Sequence, residues 1–168
     1  MIQNGKIFKD SFSGKGTVTK RLINKTTGEI AYEHTDHNLI VKLGRSFLIR
    51  ALAGENLDVK ITDMSIGKGG TSDLGVNAFN PIDPVDGDTD LLSKIKAVNI
   101  AAATTNLAGT NPKVTFTALF DCDEIDSLVN ECGLHFGDAT IFARHTFDTV
   151  SLKSSSNFSL QISWAIEF

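Results

Sequence analysis

The chain has 168 residues, of which 41% are hydrophobic and 21% are charged, and its formal net charge is −4. This balance is typical of one folded domain and argues against a disordered chain. No basic cluster predicts contact with nucleic acid, and no apolar run of the sequence is long enough to span a membrane.

The opening residues lack the apolar core of a signal peptide, which predicts a protein made in a cytoplasm.

Two cysteines, Cys122 and Cys132, are too few for a disulfide scaffold. They could face each other across a hairpin, but half-buried thiols are the favoured interpretation because cytoplasmic chains rarely keep disulfides.

Residues 1–16 are rich in Gly, Lys and Ser and show no regular hydrophobic period. Such a stretch is either frayed or an arm that becomes ordered against a neighbouring molecule. Its large apolar residues favour the arm and are the candidate assembly residues Ile2, Ile7, Phe8 and Phe12. The predicted domain organisation is therefore an arm over 1–16 and a single β domain over 17–168.

A hairpin is predicted over residues 17–34, where two apolar stretches flank a turn at 25–28. Gly28 can supply the positive φ angle that a tight turn needs.

The clearest helix pattern covers about residues 39–53, with Asn38 as the predicted N-cap and Gly54 as the C-terminal stop. Gly44 inside this helix predicts a close neighbour, since glycine otherwise lowers helix stability by about 1 kcal/mol. The predicted buried stripe consists of Leu43, Phe47, Leu48, Ala51 and Leu52.

Further strands are predicted at 59–67, within 91–105 after a helical turn at Leu91–Leu92, from Val114 to Phe120, at about 128–136 and 140–147, and at 158–168. Residues 68–90 are predicted to form a long surface loop, and the serines at 151 and 154–156 are predicted to lie in a second loop. In the last strand every second residue is large and apolar, so Trp164 is expected to face a core. Seven or eight strands and one short helix predict a mainly β protein, an antiparallel β-sandwich with an N-terminal arm plus hairpin.

Two loop motifs have the chemistry of ligand sites but depart from the required spacing. The stretch 67–71 does not fit a Walker motif, because Lys68 comes before Gly69 and Gly70. A turn is predicted there instead. Asp86, Asp88 and Asp90 alternate like calcium ligands, but Leu91 and Ala97 stand where an EF-hand has Gly and Glu. A solvated turn is favoured over a bound cation.

No catalytic or metal-binding constellation is predicted, and no cofactor is expected. Neither the histidines 34, 37, 135 and 145 nor any serine belongs to a recognisable ligand or nucleophile motif. Glu131 lies among apolar residues of one strand, and Arg144 on the next strand is its expected cross-strand ion-pair partner.

Residues 38–168 resemble a small β-rich module of tailed-bacteriophage virions, found as tail or collar proteins and at the tail-attaching end of tail fibres. The resemblance is carried, in order, by Asn38–Val41, Gly44–Arg45, Ile66–Gly69 with Thr71, Asp88–Thr89, Phe116–Phe120, Glu131–Leu134, Ile141–Arg144 and the final strand. It implies that the matching residues are structural. They are Gly44, Gly67, Glu131, Gly133, Arg144 and Trp164.

The resemblance implies a non-enzymatic virion structural protein that self-associates, as a trimer or a larger ring, and joins tail, collar or neck components. Its partners would be further copies of itself and other virion proteins, and its location the virion. Because the chain stops at the sandwich without a fibrous shaft, an adaptor is favoured over a receptor-binding fibre. The alternatives are a carbohydrate-binding module, a capsid decoration protein and a small hydrolase.

Overall fold

A computed structural model describes residues 15–55, 60–70, 81–100, 102–108, 112–137 and 139–167. In this part of the chain, ten strands form two five-stranded antiparallel sheets, which confirms the predicted β-sandwich. The candidate assembly residues Ile2, Ile7, Phe8 and Phe12 lie outside the described residues.

The first sheet has the strand order β2-β1-β10-β7-β6 and the second β3-β9-β8-β4-β5. The strands are β1 (Lys15–Asn24), β2 (Ile30–His37), β3 (Leu39–Ile40), β4 (Ile61–Gly67), β5 (Lys94–Asn99), β6 (Ala102–Asn106), β7 (Lys113–Asp121), β8 (Ser127–Phe136), β9 (Ile141–Leu152) and β10 (Phe158–Glu167). The helices are α1 (Lys42–Leu52) and α2 (Cys122–Ile125), with a 3-10 turn at Ser154–Ser156.

The closing strand β10 lies at the centre of the first sheet, hydrogen-bonded to β1 on one side and to β7 on the other. Its alternating apolar side chains point into the core, as the sequence pattern predicts, and Trp164 is fully buried. The other buried apolar residues of this strand are Leu160, Ile162 and Ile166.

The second sheet is buried on both of its faces along β8, where every residue from 128 to 136 is buried. Its inner face meets the first sheet with Met64, Ile66, Cys132 and Leu134. Its outer face carries polar and small residues instead, namely Ser65, Gly67, Glu131, Gly133 and His135. The loop segment 81–93 covers this outer face, and the candidate site is built there.

Helix α1 begins at Lys42, three residues later than predicted, and Asn38 is not its cap. Asn38 instead lies where the chain leaves the first sheet at β2 and joins β9 of the second sheet as β3. The predicted C-terminal stop is confirmed, because Gly54 has a φ of +79° and its N–H bonds to the carbonyl of Ala51.

The predicted buried stripe of α1 is only partly correct. Phe47 and Leu48 are half-buried, and the Phe47 ring lies 4.4 Å from that of Phe136. Leu43, on one margin of the stripe, is 40% exposed and Leu52 is 77% exposed. Ala51 lies at the centre of the stripe and is also exposed, because every residue from 49 to 55 is exposed and the sheet does not cover this end of the helix.

Several other boundaries differ from the sequence prediction. The region 91–105 has no helical turn at Leu91–Leu92, and it supplies two strands, β5 and β6, to different sheets. Strand β9 extends to Leu152, so Ser151 is in a strand and not in a loop. The short helix α2 was not predicted; the Asp121 side chain caps it by accepting a hydrogen bond from the Asp123 N–H.

Both cysteines are free and buried, so the prediction of unpaired thiols is confirmed. Burial raises the pKa of the Cys132 thiol far above its ordinary value.

Candidate functional site

The outer face of the second sheet holds a buried ion pair. Arg144 of β9 donates from Nε and Nη2 to the same oxygen, Oε2, of Glu131 on β8, at 3.1 and 2.8 Å. The ion pair predicted from the sequence is thus present. It is diagonal, because Arg144 lies opposite Gly133 and Glu131 opposite Thr146. The two side chains are 1% and 0% exposed.

Backbone and side-chain groups of the loop segment complete the hydrogen bonding of both charges. Arg144 also donates to Asp88 Oδ2 at 2.9 Å and to the carbonyl of Ile82 at 3.2 Å. Glu131 accepts from the N–H groups of Ser93, at 2.9 Å, and Leu92, at 3.1 Å. A buried charge is tolerated only when it is paired in this way, so the ion pair fixes segment 81–93 on the sheet.

The glycines of this region are required for space. A Cβ at Gly67 would lie 2.7 Å from Glu131 Oε1 and 2.6 Å from the carbonyl of Ser93. A Cβ at Gly133 would lie 3.1 Å from a methyl group of Leu91. We call Glu131, Arg144, Asp88, Gly67 and Gly133 the polar seam.

The aspartates of the calcium-like motif face three different cations. Asp86 pairs with Arg45 and Asp88 with Arg144, while Asp90 accepts from Lys94 at 2.8 Å. Their carboxylates therefore serve to attach the loop at separate points and do not converge on one ion.

A serine–histidine pair that sequence reasoning missed lies beside the polar seam. The Nδ1 of His135 is 3.2 Å from the carbonyl of Ala139, so Nδ1 carries the proton and Nε2 accepts from the hydroxyl of Ser65. Burial lowers the pKa of His135. Ser65 and His135 are 0% and 2% exposed, which seals the pair from any substrate. No sequence signal joins them, because they are 70 residues apart.

A second candidate site is a groove between the two sheets, bounded by β2 and β9. Strand β2 belongs to the first sheet, but the chain crosses to the second sheet at Asn38, so β2 and β9 diverge from that point. Three cavities of about 190, 360 and 420 Å³ share lining residues along it. We call it the edge groove; its walls and floor include Lys20, Leu22, Tyr32, His34, Asp36, Asp83, His145, Phe147, Asp148, Val150 and Phe158.

The two ends of the edge groove differ in chemistry. Asp36, Asp83 and His145 line the end near the crossing, where the polar groups are concentrated. Leu22, Val150 and Phe158 line the opposite end, which is mainly apolar.

The floor of the edge groove contains a buried cation. Lys20 is 3% exposed, and its Nζ lies 3.5 Å from Asp36 Oδ2 and 4.8 Å from the centroid of the Phe147 ring. Burial lowers the pKa of Lys20. Burial alone would raise the pKa of Asp36, but the charges of Lys20 and His34 outweigh it and lower that pKa.

His145 lies beside this cation. Its Nδ1 donates to the carbonyl of His37 at 3.1 Å, and its buried Nε2 has no hydrogen-bond partner. Burial, helped by the charge of Lys20, lowers the pKa of His145 to about 4. His34, His37 and His145 all line the edge groove, although their positions in the sequence predict no common site.

One further group of side chains has the spacing of metal ligands, at Asp121, Cys122 and Asp123. The ammonium group of Lys25 already bonds to both carboxylates, 2.6 Å from Asp121 Oδ1. This contact ties the β1–β2 turn to the start of α2.

Comparison of the chain with protein-family models, with curated proteins and with solved structures finds no match. Within the described residues, no helix is long and apolar enough to cross a membrane.

Proposed function

We propose that this chain is a non-enzymatic structural protein of the tailed-bacteriophage virion, which self-associates and joins tail, collar or neck components. The resemblance of the sequence to such modules motivates the proposal. The positions that carry it are buried at contacts between elements, as expected of a scaffold. They are Gly44, Gly67, Glu131, Gly133, Arg144 and Trp164.

The observation that supports the proposal best is the surface that the polar seam holds in place. Segment 81–93 is bound to the sheet through Arg144 and Glu131, yet it exposes large apolar side chains. Ile82, Val85 and Leu92 are 48%, 59% and 51% exposed. A firmly attached loop that presents apolar groups is typical of a protein–protein contact.

The alternatives receive less support from the described residues. A hydrolase would need a reachable nucleophile, whereas the hydroxyl of Ser65 is sealed beneath the loop segment. A carbohydrate-binding module usually presents several exposed aromatic rings, whereas here the one Trp, Trp164, is fully buried and the one Tyr, Tyr32, is 42% exposed. A capsid decoration protein would differ from the proposed tail or neck protein only in its position on the particle.

The decisive experiment asks whether the genome that encodes this chain gives rise to phage particles that contain it. We expect mass spectrometry to find the chain in purified virions, and a nonsense mutation in its gene to give particles without a complete tail or neck in electron micrographs. Immunogold labelling over the head instead would indicate decoration. Complete, infectious particles without the protein would refute the proposal.

The role of the exposed loop can be tested separately with Val85→Ser combined with Leu92→Ser. These changes should leave the fold intact but reduce incorporation into particles by about tenfold or more, because apolar contact area is lost. Leu119→Ser on β7 is the matched control, since Leu119 and Leu92 are both 51% exposed. Equal incorporation of the two variants would show that segment 81–93 is not a contact surface.

A further inference from the structure

We infer that the edge groove is the docking site for the N-terminal segment, residues 1–14, of a second copy of the chain, which adds as a strand antiparallel to β2. This inference rests on the proposed self-association and names the surface that would mediate it.

The edge of β2 that faces away from β1 is the surface to which the segment would add. Among the described strands, only β1 pairs with β2, and β2 forms the border of the first sheet over eight residues. An exposed edge strand of this length offers unpaired backbone groups to an incoming strand. A strand added there would lie over the edge groove and cover its floor.

The groove and the segment match in charge and in apolar surface at their two ends. Lys6, Phe8, Asp10 and Phe12 are separated by even numbers of residues, so an extended segment presents them on one face. In an antiparallel arrangement, Lys6 lies toward the end with Asp36 and Asp83, and Phe12 toward the apolar end. Charge and apolar surface are then matched at both ends of the groove.

The direction of the added strand favours the segment of a second copy over the molecule's own segment. Strand β1 starts at Lys15, near the crossing, because the carbonyl of Gly16 accepts from the N–H of Asn38. A segment that turned from there into its own groove would run parallel to β2. Phe12 would then lie at the acidic end, which removes the match. Antiparallel addition therefore requires another molecule.

Disulfide trapping in the full-length chain tests both the partner and the direction. A chain carrying Asp10→Cys, on the same face as Phe12, is mixed under mild oxidation with a differently tagged chain carrying Ser151→Cys, at the apolar end of the groove. We expect a cross-linked heterodimer from this pair and none from Asn4→Cys with Ser151→Cys. The native thiols interfere little because both are buried.

Charge reversal provides an independent measurement. Lys6→Glu should weaken self-association about tenfold in sedimentation experiments, because a cation is lost from the acidic end of the groove. Asp83→Lys, which changes an exposed residue at that end, should restore association in the Lys6→Glu chain.

The outcomes separate this inference from the proposed function. Absence of the heterodimer from Asp10→Cys, cross-links from Asn4→Cys, or unchanged association of the Lys6→Glu chain would overturn the docking site. The proposed function would survive each of these results. Absence of the protein from virions would instead refute the proposed function, whatever the trapping experiment showed.

Discussion

Arg144 is the residue on which the outer face of the second sheet depends. Its guanidinium group contacts two carboxylates and a backbone carbonyl while being 1% exposed. Because both members of the Arg144–Glu131 pair are removed from water, each charge needs the other to offset the free-energy cost of its burial.

Replacement of Arg144 by methionine should lower the free energy of unfolding by about 3–5 kcal/mol, since Glu131 would be left as an unpaired buried charge. Denaturant unfolding measures the loss. Arg21→Met is the control: Arg21 pairs with Glu33 at the surface, and its loss should cost below about 1 kcal/mol. Adding Glu131→Gln to Arg144→Met should recover part of the stability. Equal costs for the two arginine variants would contradict a special role for the buried pair.

His145 predicts a specific dependence of stability on pH. Its pKa is lowered from 6.5 to about 4 in the folded protein, so the unfolded chain binds a proton first as the pH falls. The stabilisation is complete above pH 6.5 and is lost toward pH 4, by about 3 kcal/mol in total.

The pH dependence can be measured by denaturant unfolding at several pH values between 6.5 and 4. His145→Gln should reduce the slope of unfolding free energy against pH. A smaller slope should remain, because the pKa of His135 is lowered in the same direction. His34→Gln, at a half-exposed ring, is the control. An unchanged slope in the His145→Gln protein would show that this residue does not titrate as described.

At the scale of elements, the contact between α1 and β9 depends on the absence of one side chain. A Cβ at Gly44 would lie 2.2 Å from the carbonyl oxygen of Phe142. The helix can therefore lie this close to the strand only because position 44 carries no side chain. The cost of glycine to the helix is offset by this close packing.

Gly44→Ala should reduce the free energy of unfolding by about 1–3 kcal/mol, because the added methyl group overpacks the contact. Helix propensity alone predicts the opposite sign, a gain of about 1 kcal/mol, so the direction of the change is informative. Gly87→Ala, where nothing lies within 4 Å, should change stability by less than about 0.5 kcal/mol. A stabilised Gly44→Ala protein would contradict the close contact.

For the whole molecule, closure of the sandwich depends on β10, the last of the described strands. β10 forms ladders with β1, the first described strand, and with β7. Without residues 158–167, β1 and β7 would have no strand between them, and the first sheet would be divided into two parts.

Removal of residues 158–168 should abolish cooperative unfolding and the native circular dichroism spectrum, because two ladders and the Trp164 contacts are lost together. Removal of residues 1–14 is a control of similar length and should preserve both signals, since β1 begins at Lys15. Trp164→Ala should remain folded but lose about 3–5 kcal/mol. A folded protein without β10 would contradict this account.

Much of the fold could be predicted because the relevant information is local. The alternation in β10 and β7 depends only on neighbours along the chain, as does the helical spacing of α1, although Leu43 and Leu52 proved to be exposed. Gly28 was likewise recognisable as a turn residue, and its φ of +75° agrees.

The sequence by itself determined the alternating strands, the turn glycines and the class of the fold, since backbone geometry converts local spacing directly into faces. Only the tertiary structure decided that Lys20 and His145 share a groove and that Ser65 meets His135. Those contacts depend on which strands become neighbours and where β2 leaves its sheet. Strand order follows from the packing of the complete core, which no short stretch of sequence contains.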